Sequence, residues 1–95
     1  MIPHSKPWII NSDRQAVDAV LASGMIAQGQ RVREFEAKVA QYLGVVDAVA
    51  VNSGTAALVM ALKALGVGPN DEVIIPTYVC RSVAEAVITV GAQPI

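Results

Sequence analysis

Short apolar runs alternate with helix-forming stretches after residue 44, and this alternation constrains the fold more than any other feature. Runs 45–51, 72–76 and 92–95 have the composition of strands, and the first two are apolar enough to favour strands buried on both faces. Between them, 56–65 and 82–90 favour helices. A strand-helix-strand-helix-strand order predicts an α/β fold, with a partial parallel-type sheet and flanking helices.

The first part of the chain predicts helices without strands. Ser12 and Gln15 have the spacing of a capping box, which indicates a helix that starts there. A second helix is expected over 31–43, and a glycine follows each of the two. We therefore expect two parts: an N-terminal helical segment over 1–44, and the start of an incomplete sheet domain over 45–95.

The composition is too apolar for a domain of this size to stand alone. Hydrophobic residues make up 54% and charged residues 16% of the 95 positions, against about 25% charged in typical soluble domains. Mean hydropathy is +0.49. Small domains leave a large share of their surface exposed, so we expect further chain or a partner subunit to cover the apolar faces.

Other partners and compartments are excluded by simple counts. The longest stretch without charged residues is 48–62, shorter than the ~20 residues that span a bilayer, and the first seven residues lack a signal-peptide pattern. A net charge of −1 does not support nucleic-acid binding. Cys80 is the single cysteine, which leaves no internal disulfide and no multi-cysteine metal site. We expect a cytoplasmic protein that contacts neither membrane nor nucleic acid.

Two segments fall where ligands bind in open α/β sheets, at the carboxyl ends of the strands: 52–55 and 77–81. The first precedes a helix, whose free N–H groups and dipole attract anions. Gly54 permits close approach of a phosphate, and the Thr55 hydroxyl adds a donor. The segment matches neither a P-loop nor a dinucleotide-binding fingerprint. The alternative interpretation is that Ser53 simply caps the helix.

Three motifs carry a family resemblance. They are Asn-Ser-Gly-Thr-Ala-Ala-Leu at 52–58, Gly-Pro-Asn-Asp-Glu-Val-Ile-Ile-Pro at 68–76 and Gly-Ala-Gln-Pro-Ile at 91–95. The resemblance extends upstream at the same spacing, to Ser23-Gly24, Gly29 and Phe35-Glu36. Together they resemble the DegT/DnrJ/StrS sugar aminotransferases, over essentially the whole chain but only the first quarter or so of a family member.

The resemblance implies the N-terminal part of the large domain of a fold-type-I transferase that uses pyridoxal 5'-phosphate and works as a homodimer. Such enzymes transfer an amino group from an amino-acid donor to a keto group of a nucleotide-linked sugar. By position, Gly54, Thr55 and Ala56 would hold the cofactor phosphate. Cys80 stands where the family commonly has an aromatic residue against the cofactor ring, and Tyr78 is the alternative for that contact.

The family's lysine, which binds the cofactor covalently, has no counterpart here. Lys6, Lys38 and Lys63 do not match its position. We therefore expect no catalytic residue in this chain, and a fragment that is inactive alone. Two other interpretations remain open: a small non-catalytic α/β module for anion binding or protein interaction, and a phosphosugar- or nucleotide-binding domain of an unrelated enzyme.

Overall fold

The computed structural model describes residues 4–95, which contain four helices and two strands. Residues 1–3, which belong to the expected helical segment and to the stretch that lacks a signal-peptide pattern, lie outside the described residues. The chain divides into two compact units, one up to Ala48 and the other over Val49–Ile95.

The first unit consists of two helices, α1 (Asn11–Ser23) and α2 (Gln30–Leu43). A glycine ends each helix in the left-handed conformation, Gly24 with φ 69° and Gly44 with φ 67°. Glycine adopts this conformation without the strain that a Cβ introduces. The predicted helix ends are therefore confirmed.

The predicted start of α1 is wrong in its capping residues. The helix begins at Asn11, two residues earlier than a Ser12 cap requires, so Ser12 lies inside the first turn. Ile10 precedes the helix and has no side-chain acceptor. Instead, the Ile10 backbone N–H donates to the Asp13 carboxylate at 3.0 Å. A carboxylate in the first turn also interacts favourably with the helix dipole, which explains why Asp13 takes this role.

The second unit is a strand-helix-strand arrangement with an additional helix before it. Its elements are α3 (Gly54–Ala64), β1 (Glu72–Val73), α4 (Arg81–Thr89) and β2 (Gln93–Pro94). The two strands pair in parallel, with Glu72 opposite Gln93, and α4 forms the crossover between them. Parallel pairing with a helical crossover confirms the predicted α/β class.

The strand prediction for 45–51 is wrong, and that for 72–76 is wrong in extent. No strand forms at 45–51 among the described residues, and Val46 is fully exposed. A strand needs a paired neighbour, and the two-stranded sheet described here involves only β1 and β2. The run 72–76 contains just the two strand residues of β1, and it is not buried on both faces: Val73 and Ile75 face the core, whereas Ile74 is exposed.

A small apolar core holds the second unit together. Val87, Val90 and Ala92 are buried at its centre, from the end of α4 to the residue before β2. Partly buried side chains from α3, the following turn and the β1 region pack on this centre: Val59, Leu62, Val67, Val73 and Ile75. The core therefore joins both helices of this unit to its sheet.

Within residues 4–95, no helix combines the length and apolar character that crossing a membrane requires. No group of three or more potential metal-binding side chains lies together in the same residues.

Candidate functional site

The N-termini of α3 and α4 lie at the same end of the second unit. The two helices pack against each other, and the turn that follows α3 lies beside the end of α4. There, a Cβ on Gly91 would come within 3.1 Å of the Pro69 ring, and one on Gly68 within 3.8 Å of the Val90 carbonyl oxygen. Since both C-termini share one end, the two helices run in the same direction and both N-termini occupy the other end.

The first turn of α3 contains one capped donor and two that have no partner. The Ala56 N–H donates to Ser53 Oγ at 3.2 Å, and the Ala57 N–H donates to the Ser53 carbonyl oxygen at 3.0 Å. The Gly54 and Thr55 N–H groups have no hydrogen-bond partner within residues 4–95. Ser53 therefore caps α3, but this cap leaves two N–H donors at the positive end of the helix dipole for an anion.

Gly54 is not required by the fold of the described residues. Its φ is outside the left-handed region, so the backbone conformation alone does not call for glycine. A Cβ at this position would meet nothing within 4 Å. The space beside Gly54 is thus open to a ligand that contacts the backbone directly.

The second predicted segment places Cys80 at the N-terminus of α4. Cys80 is exposed and directly precedes the helix, and its Sγ lies 3.0 Å from Ser82 Oγ. Tyr78, the alternative contact residue, is fully exposed. Gly54, Thr55, Ala56 and Cys80 therefore all lie at the helix N-termini on one end of this unit.

The residues around Cys80 differ from expectation in one respect. The pattern of Ser82 followed by Glu85 predicts that Ser82 caps α4, but the helix begins at Arg81 and no side chain caps it. Glu85 instead pairs with Arg81, at 2.8 Å between Nε and Oε1. The Arg81 side chain is 89% exposed. Sequence spacing gives no signal for the contact between Cys80 and Ser82, because it depends on the orientations of the two side chains at the start of α4.

No lysine amine of the second unit approaches these N-termini. Lys63 lies in the last turn of α3, and nine residues at 1.5 Å rise place it about 13 Å along the helix axis from Gly54. Lys6 and Lys38 belong to the first unit and are exposed. At this end, the described residues of the second unit provide hydrogen-bond donors and a thiol, whereas their one lysine amine is distant.

The family model of the DegT/DnrJ/EryC1/StrS aminotransferases matches residues 7–95. The spore coat polysaccharide biosynthesis protein SpsC of Bacillus subtilis is 45% identical over 94 residues, which are 99% of this chain and 24% of that protein. Thus the chain spans about a quarter of the length of this relative.

Solved structures agree in fold over the same extent. The sugar aminotransferase Spr1654 of Streptococcus pneumoniae, described as putative and solved in its PLP form, superposes with a TM-score of 0.92 at 37% identity, over 99% of this chain and 24% of that one. An aminotransferase of Psychrobacter cryohalolentis superposes with a TM-score of 0.88 at 34% identity, over 98% of this chain and 24% of that one. With a family model matching nearly the whole sequence, the chain belongs to the DegT/DnrJ/EryC1/StrS aminotransferase family.

Proposed function

We propose that this chain is the N-terminal portion of a pyridoxal 5'-phosphate-dependent aminotransferase that acts on a nucleotide-linked keto-sugar with an amino-acid donor. The observation that carries the proposal is the start of α3, where Gly54 and Thr55 present free N–H groups beside open space. The likeness to SpsC and to the PLP form of Spr1654 supports the sugar and the cofactor.

The donor set of α3 fits a phosphate. A phosphate group is an anion with several acceptor oxygens, and a helix N-terminus supplies both N–H donors and favourable dipole charge. In this proposal Gly54 and Thr55 donate their backbone N–H groups, and the Thr55 hydroxyl donates as well. The Ala56 N–H joins them only when the Ser53 hydroxyl, which now accepts it at 3.2 Å, turns away.

Cys80 is proposed to lie against the cofactor ring. Its exposed thiol is at the same end of the unit as Gly54, and sulfur provides a polarizable apolar surface for an aromatic ring. It lacks the ring overlap of an aromatic side chain. The contact with Ser82 Oγ at 3.0 Å limits the orientations of the thiol. Tyr78 remains the alternative, and its full exposure leaves it free to move.

When bound, the cofactor supplies the electron sink that amino-group transfer needs, and the protein supplies its binding and orientation. The residues of this chain bind and orient: the α3 N-terminus anchors the phosphate, and α4 positions Cys80. Without a lysine amine at the site, these 95 residues cannot hold the cofactor covalently. The proposal therefore includes that the 95-residue chain alone is inactive, and that the lysine comes from further chain.

The remaining parts of the proposal concern organisation. Residues 45–95 begin the cofactor-binding large domain, and 1–44 form a helical segment before it. The enzyme works as a homodimer in the cytoplasm. The unpaired, exposed Cys80 is compatible with a reducing compartment.

The test compares two threonine variants of the full-length protein. Thr55→Val removes a hydroxyl at the proposed phosphate site. The binding free energy of the cofactor should therefore weaken by about 2 kcal/mol, which raises its Kd roughly 30-fold. Thr89→Val is the matched control, because Thr89 lies at the far end of α4 and donates to the Glu85 carbonyl oxygen at 2.7 Å. Retention is measured by dialysis while the absorbance of the bound cofactor is followed.

Three outcomes would contradict parts of this proposal. Equal retention in both variants would remove Thr55 from the site. A full-length protein that binds inorganic phosphate but shows no cofactor absorbance would favour the alternative, a non-catalytic anion-binding module. A coding sequence that supplies no lysine-bearing segment after Ile95 would contradict the aminotransferase proposal itself.

A further inference from the structure

We draw no further inference here: the strongest candidate, the exposed apolar groove of about 500 Å³ between the end of α1 and the start of α2, lined by Val20, Met25, Ile26 and Val32, is an unpartnered face, and nothing in the structure shows what covers it.

Discussion

The two units of this chain hold their helices by different means. In Val49–Ile95, helices and sheet share a core in which Val87 is 2% exposed. In the first unit, Ala40 is the one buried hydrophobic residue among those described, and α1 has no buried residue at all. Helices of 13 and 14 residues are marginal in water without tertiary packing. The first unit therefore depends on local interactions and on whatever covers its apolar side chains.

The accessible surface of the chain is larger than that of compact units of the same mass. The chain exposes 8261 Å², whereas two compact units of half its 9.9 kDa mass would together expose about 6,300 Å² by the usual scaling with mass. The chain therefore exposes about 2,000 Å² more than two compact units would. Exposed apolar side chains in both units thus account for the apolar composition.

The largest expected effect is association of the isolated 95-residue chain. Large exposed hydrophobic side chains favour contacts between copies, so light scattering after gel filtration should show oligomers or aggregates. They occur in both units: Trp8, Ile26, Tyr42, Val46, Leu65, Ile74 and Tyr78. A monomeric sample that melts in one cooperative transition would contradict the contrast between a packed and an unpacked unit.

A pair of valine variants compares the two units directly. Val87→Ala removes two methyl groups from the core and should destabilise the second unit by about 2 kcal/mol, through lost burial and the cavity left behind. Val17 in α1 is 58% exposed, so Val17→Ala should change stability by less than about 0.5 kcal/mol.

Hydrogen exchange of the α4 and α1 amides in the 95-residue chain measures both effects, at a concentration low enough to limit association. A loss of α1 protection in Val17→Ala as large as the loss of α4 protection in Val87→Ala would show that the first unit has packing that its burial does not reveal.

The sequence predicted helices better than strands, and the reason is the range of the interactions involved. Glycines that end helices act within a few residues, and the predicted ends of α1 and α2 are confirmed for that reason. Strands need partners that are distant in sequence. The run 45–51 has strand composition but forms no strand within the described residues, and β1 retains only the part that β2 pairs with.

The sequence pattern predicted the capping residue of α3 but not those of α1 and α4. Ser53 caps α3 as the alternative interpretation required, with its Oγ accepting the Ala56 N–H. Ser12 and Ser82 do not cap their helices, because these helices begin upstream of the two serines, at Asn11 and Arg81. At the site, the placement of Gly54 at a helix N-terminus was predictable, whereas the contact between Cys80 and Ser82 depended on where α4 begins.

Two glycines allow a finer comparison. Gly91 in the second unit and Gly24 in the first both have positive φ, 87° and 69°. A Cβ on Gly91 would also lie 3.1 Å from the Pro69 ring, whereas one on Gly24 would meet nothing within 4 Å. Gly24→Ala should therefore cost about 1 kcal/mol from backbone strain alone, and Gly91→Ala about 0.5–1 kcal/mol more. Urea denaturation of each variant measures the change, and equal costs would mean that the Pro69 ring moves aside freely.

The smallest effect concerns the local interactions that support α2. The Gln30 Nε2–H donates to Glu34 Oε1 at 2.9 Å, and an Arg31 guanidinium nitrogen donates to Oε2 at 3.1 Å. The Gln30 hydrogen bond and then the Arg31 charge hold the pKa of Glu34 below its ordinary 4.5. Because the pKa is lowered in the folded state, the stabilisation is present above the unfolded pKa. It is lost as the pH falls through the lower folded value.

This interaction lies at the protein surface, where the Arg31 and Glu34 side chains are 67% and 39% exposed, so its effect should appear in the titration midpoint more clearly than in overall stability. A carboxyl carbon titration by NMR should place the Glu34 midpoint below 4.5 in the parent chain. Gln30→Ala should raise that midpoint, because it removes the largest cause of the shift, while the Arg31 charge remains. Lys38→Ala is the matched control and should raise the midpoint less, because the Lys38 charge is the smallest cause. A Glu34 midpoint unchanged by Gln30→Ala would mean that the side-chain pairs of α2 do not persist in solution. The first unit would then lack local support as well as a core.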